Sequence, residues 1–307
     1  MKRVLIPLLV MCLLVLTIGS LAAAGDTATV KIFLITGESN AGSNGNGELL
    51  PAAMKQPVAN AWLYSPQTFG NKQLRVVEPF RYVKTKFGIT RTGYGLELPI
   101  AYALRQSCPD MKMIFVRQYS GGTSLIGWSP DYGTAQWKAD MAGVGHASKP
   151  PVYPKLLNVM NGARTAMAAV PALSGQPTEV AGAFYVVTER DSKYNYGATR
   201  YEAYLRRIIA GMRASWAAPN MDVVFVDSHT SLAGYAATVR QAATNVAAVQ
   251  PSGFNDAGGA VAVPGTGLVA VRDLPKYKDN VHFNSEGLNE LGRRFAEQWL
   301  ALNGGCN

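Results

Sequence analysis

The residue types of nucleophilic catalysis occur near both ends of the chain. Ser39 follows a short apolar run that ends at Gly37, and a serine at such a strand-to-helix turn lies near N–H groups that favour negative charge. Asp279 stands three residues before His282. A carboxylate at this spacing can hold the imidazole Nδ1–H and leave Nε2 free to accept a serine proton. The alternative is that Ser39 only caps a helix and that the other two residues are structural.

Histidine is scarce in this chain, so a mechanism that uses an imidazole base has few candidates. The three histidines are His146, His229 and His282. His146 lies in a stretch rich in Gly, Lys and Pro, whereas His229 closely follows an apolar run and competes with His282 for the role of base. The sequence has no Cys-x-x-Cys motif, so we expect no His/Cys metal site.

Two other polar segments each follow an apolar run. Gly121 and Gly122 can bring backbone N–H groups close to a ligand, because no Cβ stands in the way. The alternative for this pair is an ordinary turn. Glu189, Arg190 and Asp191 place three charges after another run, where they either bind a polar substrate or form a solvated loop.

Short apolar runs alternate with stretches of helical periodicity, and this order predicts where the polar segments meet. The runs predicted as strands are 31–35, 111–117, 180–187, 221–226 and 268–271. The stretches predicted as helices are 96–106, 153–169, 201–216, 236–249 and 285–302. The alternation predicts an α/β fold with a five-stranded parallel sheet, helices on both faces and ligands at the carboxyl ends of the strands. With no linker or repeat, we expect residues 25–307 to form a single domain.

The first 24 residues have the pattern of a secretory signal peptide. Lys2 and Arg3 precede an apolar stretch over residues 4–18, and small residues follow it. An uncleaved anchor is the alternative, although the stretch is short for a bilayer span of about 20 residues. We expect a secreted or periplasmic protein with no stable membrane association after cleavage. Export permits a disulfide, and we favour a Cys108–Cys306 bridge over two free thiols.

The chain is basic, with a formal net charge of +9. Removal of Lys2 and Arg3 with the signal segment would lower this charge to +7. A basic balance can attract nucleic acid or acidic polymers, but these basic residues are scattered and do not alternate with aromatic ones. We therefore expect a soluble basic surface and no nucleic-acid partner, with attraction of acidic polysaccharide as the weaker alternative.

The ordered motifs resemble those of the sialate O-acetylesterase-like carbohydrate esterases, which belong to the SGNH hydrolases. The segment Gly-Glu-Ser-Asn-Ala-Gly at 37–42 resembles the GQSNMAG block of that family. Residues 121–124 followed by Trp128 resemble its GGTS…W block, and residues 279–282 with the terminal helix resemble its D-x-x-H block. Each motif is only moderately specific, but the blocks occur in family order over nearly the whole chain after residue 31.

The resemblance implies a three-layer α/β/α sandwich of the SGNH, flavodoxin-like kind, no cofactor, and hydrolysis of esters on acylated sugars. Carried over, it makes Ser39 the nucleophile, His282 the base and Asp279 the residue that orients the base. It also implies an oxyanion hole built from the backbone N–H groups of Ser39 and of Gly121 or Gly122. The residues that we expect to contact an acetylated carbohydrate are Asn40, Trp128, Glu189, Arg190 and Asp191.

The chain departs from the family blocks at two positions. Glu38 stands where the first block has Gln, and Val187 replaces the Gln of a QGESD block. If that Gln donates to the oxyanion, its loss can lower the rate by about 10²–10³ unless Thr188, Asn40 or Arg190 substitutes for it. The sequence therefore predicts an exported carbohydrate O-acetylesterase. The alternatives are a catalytically weak, glycan-binding relative and an SGNH esterase that acts on simple short-chain esters.

Overall fold

The computed structural model describes residues 29–42, 45–84, 89–228, 234–250 and 261–306. The expected signal segment at 1–24 and the competing base His229 lie outside these residues. Within the described ranges, no helix is long and apolar enough to cross a membrane.

The strands of the described residues form two sheets. They are β1 (Val30–Gly37), β2 (Gly45–Asn46), β3 (Ala61–Tyr64), β4 (Leu74–Val76), β5 (Phe80–Lys84), β6 (Ile89–Tyr94), β7 (Met113–Tyr119), β8 (Thr178–Val186), β9 (Asp222–Val226), β10 (Ala247–Val249) and β11 (Val263–Val269). The larger sheet has the order β10-β11-β9-β8-β1-β7-β3-β4, and its neighbours are parallel except β3 and β4. The strands β2, β6 and β5 form a small antiparallel sheet.

The predicted α/β sandwich is confirmed, but its sheet is larger than the five strands expected. All five predicted runs are present as β11, β9, β8, β1 and β7, which are consecutive in the sheet. The additional strands β3 and β4 extend one edge, and β10 extends the other. These edge strands have only three or four residues each, too few to produce the apolar run by which a buried parallel strand is identified.

The central strand β1 shows why the buried strands are continuous apolar runs. Because both faces of the sheet are covered, alternate side chains of β1 pack into different layers. Ile32 and Leu34 lie in the core on one face, and Phe33 and Ile35 lie in the core on the other. All four side chains are fully buried.

Helices cover both faces of the larger sheet and complete the three layers. They are α1 (Pro66–Phe69), α2 (Glu97–Ser107), α3 (Ala135–Gly143), α4 (Tyr153–Ala166), α5 (Glu189–Lys193), α6 (Asn195–Ser215), α7 (Ala236–Val246) and α8 (Ser285–Asn303). The buried residues of α4, α6 and α7 belong to the core that contains Ile32 and Leu34. Those of α2 and α8 belong to the core on the opposite face.

A disulfide ties the end of the chain to the body of the domain. Cys108 follows the last residue of α2, and Cys306 follows α8, which packs against α2. The structure contains the Cys108–Cys306 disulfide, which confirms the expected pairing.

Candidate active site

Ser39 lies at the carboxyl end of β1, where ligands meet a parallel sheet. Gly37 ends the strand with a φ of 136°, and a Cβ at this position would lie 2.0 Å from the carbonyl oxygen of Val186. Glycine therefore allows the chain to turn this close to β8. Ser39 then opens the 3₁₀ turn Ser39–Gly42, with its side chain half-buried.

The loop before α8 carries the candidate base and is closed by its own backbone. Asn280 has a φ of 55°, and its N–H donates to the carbonyl of Tyr277 at 2.9 Å. The N–H of Tyr277 in turn donates to the carbonyl of His282 at 2.8 Å. Asn284 then caps α8, since its side-chain oxygen accepts the N–H of Gly287. The position of His282 is thus fixed by the loop on one side and the helix on the other.

The serine turn and the histidine loop meet, although Ser39 and His282 are 243 residues apart in sequence. His282 Nε2 lies 2.8 Å from Ser39 Oγ, and His282 Nδ1 lies 2.7 Å from Asp279 Oδ2. In this arrangement an imidazole can take the hydroxyl proton while the carboxylate holds its other nitrogen. The three residues expected to form a triad are therefore in direct contact.

The carboxylate of Asp279 takes part in three hydrogen bonds within its own loop. Burial, the largest single effect, acts to raise its pKa, but hydrogen bonds from the His282 ring and from the backbone N–H groups of His282 and Val281 outweigh it. The resulting pKa of Asp279 is about 2, so the carboxylate is ionised at neutral and mildly acid pH. An ionised partner orients the imidazole and stabilises the imidazolium that forms when it accepts a proton.

The turn after β7 lies beside the nucleophile. The N–H of Ser120 donates to the carbonyl of Gly37 at 2.9 Å, and a Cβ at Gly121 would lie 3.7 Å from the Ser39 Cβ. Gly122 follows with a φ of 63°, in the left-handed region that glycine adopts readily. An acyl group bound at Ser39 would thus lie next to backbone that carries no side chain.

No sequence pattern points to His146, yet it supports this turn. Its side chain is buried, and its ring is hydrogen-bonded to the backbone of Gly122, whose carbonyl also accepts from Lys149 Nζ at 3.4 Å. Burial, followed by the charges of Arg190 and Lys149, lowers the pKa of His146 to about 4. His146 therefore stays neutral where an unperturbed imidazole would titrate, near about pH 6.5.

Trp128 and Asp191, which the sequence predicts to contact substrate, are buried in this structure and hydrogen-bonded to residues in or next to the same turn. Trp128 is fully buried, and its indole N–H donates to Thr123 Oγ1 at 3.0 Å. Asp191 is also fully buried, and its Oδ2 accepts the N–H of Leu125 at 2.8 Å. Neither side chain reaches solvent in this structure, and each holds a residue of the segment that follows β7.

Asn40 links the serine turn to the histidine loop. Its NH₂ group donates to Glu189 Oε1 at 2.6 Å and to the carbonyl of Val281 at 3.0 Å. Its Oδ1 accepts the N–H of Phe283 at 3.0 Å, so Asn40 holds the two residues that flank His282. In this structure these bonds use both hydrogens of the NH₂ group, and contact between Asn40 and substrate stays a prediction.

Two acidic side chains beside the serine turn, Glu38 and Asp191, are buried. Glu38 is 2% exposed, and the backbone N–H of Arg190 donates to its Oε1 at 3.2 Å. Burial, and after it the charge of Glu189, raise the pKa of Glu38 well above the usual range. Burial also raises the pKa of Asp191 to about 7. The surroundings of Glu38 and Asp191 therefore favour the protonated, neutral forms of their carboxyl groups.

Arg190 and Val187 lie near the same strand end but in different surroundings. Arg190 is half-buried, and its guanidinium lies 4.5 Å from the ring centre of Tyr194 and donates to the carbonyl of Val144 at 2.9 Å. Val187 is 1% exposed and packs in the apolar core, and Thr188 is fully buried. At the position where the family block has Gln, this chain therefore has a valine that packs in the core.

One groove on the described surface lies away from the three reactive side chains. The groove, of about 960 Å³, runs between α2 and α8, and none of Ser39, Asp279 and His282 lines it. Among the described residues, no group of three or more His, Cys, Asp or Glu side chains could hold a metal ion.

An α/β/α sandwich with a serine, a histidine and an aspartate in contact at the carboxyl edge of its sheet has the architecture of a serine hydrolase. The family model described as carbohydrate esterase, sialic acid-specific acetylesterase, matches residues 29–301. The chain belongs to this family of carbohydrate esterases, as the motifs at 37–42 and 279–282 implied. No curated protein sequence matches the chain.

Three solved structures are similar to the chain in fold. A protein from Arabidopsis thaliana has a TM-score of 0.62 and 17% identity, over 89% of this chain and 98% of that one. NanS has a TM-score of 0.58 and 13% identity, over 90% and 98% of the two chains. The carbohydrate acetylesterase XAC1771 from Xanthomonas citri has a TM-score of 0.51 and 15% identity, over 89% of this chain and 56% of that one. At these identities the likeness shows a shared fold.

Proposed function

We propose that this chain is an exported carbohydrate O-acetylesterase in which Ser39, His282 and Asp279 form the catalytic triad. One observation carries the proposal: Ser39 Oγ, the imidazole and the Asp279 carboxylate form a continuous series of contacts of 2.8 and 2.7 Å. Membership of a carbohydrate esterase family supports the reaction class.

The reaction follows from these contacts. His282 accepts the proton of Ser39 as Oγ attacks the carbonyl carbon of an acetyl ester, and Asp279 remains ionised throughout. The backbone N–H groups of Ser39 and of Gly121 or Gly122 stabilise the oxyanion of the tetrahedral intermediate. When the ester bond breaks, His282 gives the proton to the departing sugar oxygen, which leaves as a hydroxyl. Water then attacks the acetyl-serine with His282 as base, acetate leaves, and His282 returns the proton to Ser39 Oγ.

The proposed substrate is an acetylated carbohydrate. The family description names a sialic acid-specific acetylesterase, and a structure of similar fold is titled a carbohydrate acetylesterase. Arg190 and Glu189 are half-buried near the same edge of the sheet as Ser39, and we assign sugar contacts to them. Glu189 also accepts from Asn40, so it would link substrate contact to the position of the histidine loop.

Export is part of the proposal and has two supports. The apolar segment within residues 1–24 has the signal-peptide pattern, and the Cys108–Cys306 disulfide is of a kind that persists in oxidising compartments. The measurement is N-terminal sequencing of protein recovered from the periplasm or the medium of the producing cells. Recovery of the intact leader in the membrane fraction would instead support an anchor.

A second candidate function is glycan binding with little turnover. The replacement of the family Gln by Val187 favours this function, because Val187 has no group that could donate to an oxyanion. The contacts among Ser39, His282 and Asp279 favour turnover instead, since binding alone does not require a serine activated by an imidazole.

The testing experiment measures acetate release from a panel of O-acetylated glycans, beside aryl esters of short and long acyl chains. We expect Ser39→Ala and His282→Ala each to lower kcat by at least about 10³-fold. Ser174→Ala, at an exposed position in a turn, is the matched control and should retain wild-type turnover. A larger rate on acetylated glycans than on aryl acetates separates a carbohydrate esterase from an esterase of simple esters.

Three results would remove the proposal or part of it. Full turnover by folded Ser39→Ala would exclude the nucleophile. Loss of activity in His229→Ala, with activity retained in His282→Ala, would transfer the base to the competing histidine. Binding of glycans by the wild-type protein without acetate release would establish the second candidate.

A further inference from the structure

The side chains of both residues that flank the proposed nucleophile are hydrogen-bonded to the same carboxylate, that of Glu189. Asn40, on one side of Ser39, donates to Glu189 Oε1 at 2.6 Å. Glu38, on the other side, has a side-chain hydrogen bond with Glu189. The backbone N–H of Thr188 also points to Glu189 Oε2, at 3.4 Å. Glu189 is therefore the point at which the two sides of the serine turn are joined.

From this geometry we propose that Glu38 is a positioning residue that works as a neutral carboxylic acid. Its O–H donates to the Glu189 carboxylate, and this bond keeps Glu189 where it holds the NH₂ group of Asn40. Asn40 in turn holds Val281 and Phe283, the neighbours of the base. The inference rests on the proposed function, because it assigns a role relative to Ser39 and His282.

Hydrogen-bond chemistry requires a proton between the two carboxyl groups. Two ionised carboxylates have only acceptors, so a bond between Glu38 and Glu189 exists only when one of them is protonated. Glu38 is the buried member of the pair, at 2% exposure, and Glu189 is half-buried. The proton therefore belongs on Glu38, since burial disfavours the charged form.

The groups that face Glu38 also favour its neutral form. Glu189 and Asp191, from α5, are both acidic. The buried hydroxyls of Tyr185, on β8, and Tyr201, on α6, carry no charge that would stabilise a carboxylate. The favourable partner of a charged Glu38 is the backbone N–H of Arg190, whereas the guanidinium of that residue donates to a carbonyl elsewhere.

The proposal predicts a fall in activity on the alkaline side. Burial and the charge of Glu189 raise the pKa of Glu38, so the neutral form persists at neutral pH and is lost as pH rises through that raised pKa. Ionisation then removes the O–H donor and places two negative charges together, which releases Asn40 from Glu189. The base would be misplaced relative to Ser39, and kcat would fall with little change in KM.

The experiment compares the pH dependence of kcat and KM for wild type, Glu38→Gln and Glu38→Ala. Glu38→Gln keeps the shape and a donor that does not titrate, so its kcat should not show the alkaline fall of the wild type. Glu38→Ala removes the donor, and we expect its kcat to be lower by about 10–10²-fold at neutral pH with KM little changed. Glu179→Gln, on the exposed Lys31 ion pair, is the control and should follow the wild-type profile.

A second measurement detects the proton without any turnover. In the inactive Ser39→Ala background, the infrared band of a protonated carboxyl group should be present and should weaken when Glu38→Gln is added. Absence of that difference overturns the proposal, as does an alkaline fall in Glu38→Gln equal to that of the wild type. Failure of the esterase function would appear separately, as a wild-type protein that releases no acetate while the infrared difference remains.

Discussion

Asp279 and Asp191 are two carboxyl groups of the candidate site, and their surroundings move their pKa values in opposite directions. Asp279 lies on an exposed loop, where three donors outweigh the effect of burial and lower its pKa to about 2. Asp191 is fully buried, and desolvation raises its pKa to about 7 although the N–H of Leu125 opposes this. The number of donors decides the first case, and removal from water decides the second.

The difference separates two kinds of work around Ser39. The acid that contacts the imidazole must be charged to stabilise a protonated ring, and it lies where donors and solvent keep it charged. The buried acids Glu38 and Asp191 instead accept backbone N–H groups and so hold the chain in place. Neutral carboxyl groups can do this by hydrogen bonding. The comparison therefore predicts that removal of charge is costly at Asp279 and cheap at Asp191.

The largest expected effect comes from Asp279→Asn. An asparagine keeps an oxygen that can accept the N–H groups of Val281 and His282, so the loop should remain folded. It removes the negative charge and presents an NH₂ group or a neutral oxygen to the ring, which disturbs the required tautomer. We expect kcat to fall by about 10³–10⁴-fold with the thermal midpoint nearly unchanged.

A control separates the charge from its location. Hydrogen bonding to Arg294 lowers the pKa of Asp273, another exposed aspartate, but Asp273 does not contact the imidazole. Asp273→Asn should therefore leave kcat unaltered. A folded Asp279→Asn variant with near wild-type kcat would show that turnover does not need the charge of Asp279, and the contrast with Asp191 would fail.

The Asp279–His282 contact could be predicted because it is local. The partners are three positions apart in sequence, and the turn that joins them permits few other geometries. Ser39 could be predicted because it follows an apolar run at the end of a strand. The contacts that hold Asn40 could not be predicted in this way, since Glu189 is 149 residues away and Val281 is 241 residues away. No local pattern records such pairings, which depend on how the loops pack.

Burial was the other property that the residue types did not predict. Trp128 follows a glycine pair at the end of a strand, a pattern that also fits a sugar-stacking aromatic residue. In the structure its ring packs edge-on against Tyr185 in the core. Similarly, the long apolar runs of the inner strands identified them, whereas β3, β4 and β10 are too short to be recognised. Long-range packing decides both outcomes.

The next largest effect is expected from Val187→Gln, a substitution at a buried position. Val187→Gln places an amide in the apolar core, where it would lack hydrogen-bond partners. We expect a loss of about 1–3 kcal/mol in the free energy of unfolding and no rise in kcat. Denaturant unfolding and steady-state kinetics on the same preparation measure the two quantities.

The same substitution at an exposed valine is the matched control. Val249 lies on the edge strand β10, and Val249→Gln should change the free energy of unfolding by less than about 0.5 kcal/mol. A Val187→Gln variant that is as stable as the wild type and turns over faster would show that this position opens to the oxyanion. A residue at this position would then take part in the reaction directly.

The smallest effect is expected from Asp191→Asn, which should change how stability depends on pH. Between the unfolded pKa of an aspartate, about 3.9, and the folded pKa of about 7, the folded protein binds more protons at Asp191 than the unfolded chain. Stability contributed by this residue is therefore present at low pH and is lost as pH rises through this window. An asparagine cannot titrate, and its oxygen can still accept the N–H of Leu125. Relative to wild type, Asp191→Asn should gain stability as pH rises from about 5 to about 8. Urea unfolding at both pH values measures this gain, with Asp110→Asn at an exposed turn as the control that should show none. Parallel curves for wild type and Asp191→Asn would mean that Asp191 is charged in the folded protein, as Asp279 is. The contrast between charged and neutral acids around Ser39 would then rest on Glu38 alone.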